Sequence, residues 1–152
     1  MTFYFDMDGT LVDLYGYPQW LQCLRNNDVS PYLDAKPLCN MNTLARTLNK
    51  IQKRGHRICI ISWLSKTPDP AFDVATEKAK RAWLKKHLKS VRFDEIHIVP
   101  YGTPKHSIAN SAIGVKVLFD DDLTIRRDWS NGKLWHFAFA PTSIIKDLNR
   151  FA

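Results

Sequence analysis

Short β-branched and aromatic runs alternate along this chain with stretches of helical periodicity, and that alternation limits the folds open to it. Thr2 to Phe5 reads as a strand that stops at an acidic, glycine-containing turn. From Asn42 to Arg54 the apolar residues Leu44, Ala45, Leu48 and Ile51 recur at helical spacing, and Gly55 follows where a C-cap would sit. His56 to Ile61 is a second strand, Val74 to Ser90 a helix with Ala75, Ala79, Trp83, Leu84 and Leu88 on its apolar face, and Glu95 to Val99 a third strand. Thr103 reads as an N-cap with Pro104 at the first helical position, opening a helix to about Ala112. A strand from Val115 to Phe119, a short helix around Ile125 to Trp129, a Ser130-Asn131-Gly132 turn, a strand from Leu134 to Phe139 and a helix begun by Pro141 complete the series. Strands that alternate with helices imply right-handed crossovers and a mainly parallel sheet covered on both faces. The expected fold class is therefore α/β, a three-layer sandwich around five strands.

A chain of 152 residues supports one core and not two, so a single domain over 1–152 is expected. Residues 14–38 break the alternation. They contain a short helix near Pro18 to Arg25 and punctuation at Pro31 and Pro37, and they read as an excursion from the sheet, a miniature cap or insertion. No run approaches the ~20 apolar residues of a membrane span, and Met1 to Phe5 leads straight into Asp6 without a basic or apolar leader. The expected location is the cytoplasm, with no membrane partner. Cys23, Cys39 and Cys59 form no C-x-x-C pair and read as reduced core thiols. The net charge of +7 favours anionic partners without naming one.

Ligands of an open parallel sheet bind beyond the carboxyl ends of its strands. Asp6 and Asp8 follow the first strand, Ser62 the second and Asp120, Asp121 and Asp122 the fourth, while Lys105 opens the helix after the third. All converge on one edge. Carboxylates crowded together repel, and several ionised side by side imply a bound cation. Hard oxygen ligands that leave room for water and phosphate suit Mg²⁺. Ser62, Lys105 and the N–H groups at the start of its helix suit a phosphate. The direct reading is a metal-assisted phosphoryl-transfer site.

Asp6-Met7-Asp8-Gly9-Thr10-Leu11 resembles the D-x-D-G-T-L signature of the haloacid dehalogenase-like (HAD-like) superfamily, most of whose members are phosphohydrolases. Ser62, Lys105 and the pair Asp120-Asp121 resemble the later motifs in order. The resemblance implies a Rossmann-like sheet of strand order 5-4-1-2-3 and a Mg²⁺-dependent phosphomonoester hydrolase. It implies that Asp6 is the nucleophile, forming an aspartyl-phosphate, and that Asp8 protonates the leaving oxygen and then activates water. Thr10, Ser62 and Lys105 would bind phosphate. Asp6, the Asp8 backbone carbonyl, Asp120 and Asp121 would hold Mg²⁺, with Asp122 open as a substitute in the acidic set. Lys78 and Lys80 are rivals to Lys105.

The expected substrate is a small phosphorylated compound such as a nucleotide, because the cap is minimal and the balance basic. The 5′-nucleotidase-like branch and phosphatases of polynucleotide ends are the nearer resemblances, so a polynucleotide-end phosphatase is an alternative. A non-catalytic nucleic-acid or partner-binding module on the same fold is a second. Self-association stays open. The stripe Lys78, Arg81, Lys85 and Lys89, with Lys80 and Lys86 beside it on the helix around 77–89, reads as a solvated face. Asp13 reads as a turn residue, and His106 has a minor claim on the substrate. Tyr15, Tyr17, Trp20 and Tyr32 in the excursion are candidates to stack on a base, although aromatics are hardly enriched there.

Overall fold

The computed structural model describes residues 1–152 throughout. Its centre is a parallel sheet of β1 (Thr2–Phe5), β2 (Arg57–Trp63), β3 (Glu95–Val99), β4 (Lys116–Phe119) and β5 (His136–Phe139) in the order β3-β2-β1-β4-β5. This is the order 5-4-1-2-3 read from the other edge. β1 lies in the middle because it pairs on both sides, Phe5 with Ile60 of β2 and with Phe119 of β4. All four of its residues are buried.

The pleat assigns the two faces. Phe3 and Phe5 point into a core built from α3 (Met41–Lys53), α4 (Pro70–His87) and α7 (Ile144–Leu148), through Leu44, Leu48, Trp83, Leu84 and Leu148. The Phe5 and Phe119 rings stack in that core at 5.3 Å. Tyr4, Cys59, Ile61 and Leu118 point the other way, onto Ala109, Ala112 and Trp129, which α5 (Lys105–Ile108), the turn after it and α6 (Leu123–Ser130) supply. The three layers follow from strands that are apolar on both sides.

Several boundaries move, each for a local reason. α4 starts at Pro70 rather than Val74, since the Asp69 side chain accepts from Phe72 N–H and Pro70 takes the first turn. α5 does not run to Ala112. Pro104 holds the N-cap place itself, and Thr103 Oγ1 donates to the Pro100 carbonyl instead of capping. The helix stops after four residues and continues as a 3₁₀ turn over Ala109–Ser111. β5 begins at His136, and Trp135 before it is left-handed at φ 67°. Of the three thiols only Cys59 is a core residue, Cys23 and Cys39 being half-buried. No helix is long and apolar enough to cross a membrane.

The excursion carries α1 (Trp20–Arg25) as expected and a second helix, α2 (Ser30–Asp34), that was not. Pro31 reads as punctuation, yet in a first helical turn proline is at home. Leu14 and Tyr32 pack on Phe72 and Ala79 of α4, a small cluster apart from the main core. Trp83, fully buried, ties the segment down by donating Nε1–H to the Ala35 carbonyl at 2.8 Å. Trp83→Ala should therefore lower unfolding free energy by about 3–5 kcal/mol in urea titrations, while Trp83→Phe, which keeps most of the packing and loses the hydrogen bond, should cost about 1–3 kcal/mol.

Candidate active site

The site forms where β1 ends. Met7 is driven into the main core, and its burial turns Asp6 and Asp8, one residue to either side, toward the carboxyl edge of the sheet. The chain then folds back in a tight turn in which Leu11 and Val12 N–H both donate to the Met7 carbonyl. Gly9 makes the turn at φ 76°, and a Cβ there would stand 2.3 Å from Asp121 Oδ2. Only glycine permits both the left-handed backbone and the approach of that carboxylate.

Lys105 sits between two acids. Its Nζ donates to Asp6 Oδ1 at 2.6 Å and to Asp120 Oδ2 at 2.7 Å, and the three side chains are at most 9% exposed. Burial works against its charge, but the Asp6 and Asp120 carboxylates outweigh it and leave the ammonium more basic than usual. The other oxygen of Asp6 takes no hydrogen bond from the protein.

A second buried lysine completes the centre. Lys80 Nζ donates to Asp8 Oδ2 at 2.6 Å, to Ser62 Oγ at 2.9 Å and to the Trp63 carbonyl at 2.7 Å, with the Tyr32 ring 4.8 Å away. The solvated-stripe reading fails for this residue because Lys80 shares the helical phase of Thr76, Ala79, Trp83 and Leu84, all buried. That phase was the available signal. Lys80 and Lys105 are thus not rivals, since each holds one of the two signature aspartates.

The acidic turn after β4 divides its three residues. Asp122 caps α6 by accepting from Thr124 and Ile125 N–H. Asp120 and Asp121 remain beside Asp6, and one carboxylate oxygen from each of the three lies within 4.8 Å of the others. Burial, then Asp6, raises the Asp120 pKa, with Lys105 opposing. Asp121 keeps part of its surface in solvent, yet desolvation of its carboxyl, then Asp6 and Asp120, push it up to about 6. Arg126, unmarked by any motif, donates Nη1–H to the carbonyls of both Asp120 and Asp121 at 2.7 Å and fixes the turn.

The remaining expected residues fall as follows. Thr10 is buried with Oγ1 accepting from Asp121 N–H at 3.1 Å, and it lines a second cavity on the far side of the loop. Ser62 is fully buried behind Lys80. His106 pairs with Asp128, away from the acids. Asp13 is the turn residue expected, accepting from Gly16 N–H. Asp6, Asp8, Lys105, Asp120 and Asp121 open on one cavity of about 530 Å³, which Tyr15, Trp20, Tyr32, Trp63 and Tyr101 also line. Tyr17 is not among its walls.

No family model matches the chain, and no curated protein matches it in sequence. Solved structures that share its fold include two phosphatases. One is a D,D-heptose 1,7-bisphosphate phosphatase from B. bronchiseptica complexed with magnesium and phosphate, at a TM-score of 0.61 and 12% identity over 99% of both chains. The other is the D,D-heptose 1,7-bisphosphate phosphatase from Burkholderia thailandensis, at 0.57 and 12% identity over 99% of this chain and 97% of that one. The fold is the α/β sandwich with a Rossmann-like parallel sheet that those two structures share, as the sequence led one to expect.

Two outcomes follow from the electrostatics. Because the folded state holds the Asp121 pKa above the unfolded value, its favourable contribution is complete below about pH 4 and lost as pH rises through about 6. In metal-free buffer Asp121→Asn should melt near the parent at about pH 4 and above it at about pH 7.5, and Mg²⁺ at the higher pH should reverse that order. Lys80→Met strands the Asp8 carboxylate and should cost about 3 kcal/mol by denaturant titration, the lower end for breaking a buried pair, since Asp8 retains 18% side-chain exposure.

Proposed function

We propose that this protein is a Mg²⁺-dependent phosphomonoester hydrolase that acts on a small phosphorylated compound through an aspartyl-phosphate on Asp6. One observation carries the reading. Two aspartates two residues apart, each on its own buried lysine, open on one cavity beside two further carboxylates.

The lysines divide the work. Lys105 occupies one oxygen of Asp6 and leaves the other to attack phosphorus, with the alkoxide as leaving group. The same ammonium offsets charge gathering on the transferred phosphoryl group. Asp8 meets the opposite requirement. Burial raises its pKa, with Lys80 pulling it back down, so its carboxyl can lend a proton to the departing oxygen and recover one from the water that hydrolyses the acyl phosphate. Water's oxygen ends on phosphate and Asp6 is regenerated.

The donor set fits Mg²⁺. Mg²⁺ takes hard oxygen ligands, and Asp6, Asp120 and Asp121 each offer a carboxylate oxygen within 4.8 Å of the others. Asp6, the Asp8 carbonyl, Asp120 and Asp121 would hold the ion, which when bound neutralises the carboxylates and polarises the phosphoryl oxygens. That one structural neighbour is complexed with magnesium and phosphate supports this choice. Residues 14–38 serve as a miniature cap, since Leu14, Tyr15, Trp20 and Leu24 line the cavity over the acids.

With Mg²⁺ and an aryl phosphate the protein should release phosphate, and chelation should stop it reversibly. Asp6→Asn should lose at least about a thousandfold in kcat while its circular dichroism and melting curve remain those of a folded protein. Wild-type turnover by that variant rejects the nucleophile assignment.

A further inference from the structure

Beyond the acids, the cavity walls are aromatic in a way that neither the motif pattern nor the fold requires. Tyr15 and Trp20 meet edge to face at 5.1 Å on the excursion side. Trp63, the last residue of β2, and Tyr101, just after β3, meet at 4.8 Å on the other. Each pair abuts the phosphate machinery. Tyr15 Cε2 reaches 2.9 Å from the place a Cβ on Gly9 would take, beside Asp121. The Trp63 ring lies 5.4 Å from Lys105 Nζ, and its Nε1–H donates to the Thr103 carbonyl at 2.9 Å, which fixes the ring plane.

Helix α1 has no buried residue, and its apolar Trp20, Leu21 and Leu24 face this cavity. Left-handed Gln19 and Asn27, both at φ 55°, hold it there from either end. Lys66 lies 5.9 Å above the Tyr101 ring, Arg25 is at the rim, and neither forms an ion pair. Arg25, Ser65, Lys66 and Thr67 leave hydrogen-bonding groups for a pentose, while the rings and leucines offer a larger polyhydroxylated sugar apolar surface only. A flat, polarisable ring would meet faces on two sides.

We infer that the cavity binds a planar heteroaromatic ring between the Tyr15–Trp20 and Trp63–Tyr101 pairs, so that the substrate is a nucleoside monophosphate. This deepens the phosphatase reading and rests on it for turnover. The cavity, at about 530 Å³, is within the ~300–1,000 Å³ of small-molecule sites.

The test compares kcat/KM for a purine nucleoside 5′-monophosphate with that for ribose 5-phosphate under Mg²⁺. The ring should give a preference of about tenfold or more. Trp20→Ala and Tyr101→Ala should each bring the ratio toward one, while Trp20→Phe and Tyr101→Phe retain most of it. Equal or better turnover of ribose 5-phosphate or a heptose phosphate overturns the proposal, as does a ratio that both alanine variants leave intact. A 5′-phosphorylated oligonucleotide preferred over the mononucleotide overturns it too, in favour of a strand-end enzyme. Calorimetry on the same protein separates the two readings. Tighter binding of the nucleoside monophosphate than of ribose 5-phosphate, with hydrolysis of neither, rejects the phosphatase and upholds the ring site. Equal binding rejects the ring site.

Discussion

The structure depends on an ammonium ion that is almost wholly buried. Lys105 joins Asp6 at the end of β1 to Asp120 at the end of β4, and those strands are the sheet's central pair. Two carboxylates facing each other in a buried corner would otherwise drive the strand ends apart, so the lysine makes the sheet's carboxyl edge tenable. Stability and chemistry here draw on one set of contacts.

Lys80 repeats the arrangement one layer away. It approaches from α4, on the opposite side of β1 from β4, and binds Asp8, the Ser62 hydroxyl and the end of β2 together. Neighbouring aspartates thereby acquire different environments from one backbone turn. Asp6 shares its lysine with another acid, whereas Asp8 has a lysine and two neutral acceptors around it. In the proposed mechanism, environment rather than residue type separates a nucleophile from a proton carrier.

Much of this was legible in the chain because it was periodic or punctuated. The alternation of strand and helix carried the parallel sandwich, the motif resemblance implied its strand order, and the acids after β1 and β4 carried the edge of the site. The misplaced features were those in which tertiary packing overrides local pattern. Charge places Lys80 beside the solvated stripe or makes it a rival to Lys105, whereas its phase along α4 matches the buried Trp83 and Leu84. α5 ends at Ile108, short of the expected Ala112, because the chain tightens there into a 3₁₀ turn over Ala109–Ser111. α2 is too short to show a period at all. Arg126 leaves no mark, because its partners are backbone carbonyls that any residue would offer.

Tyr32 gives the excursion a hold on the chemistry. It belongs to α2, borders the cavity, and lies 4.8 Å from Lys80 Nζ, the cation that sets the surroundings of Asp8. Any displacement of α2 changes the field at that ammonium, and through it the ease with which Asp8 takes up a proton. In the phosphatase reading proposed above, filling the cavity and protonating Asp8 are therefore linked events, joined by one ring and one charge.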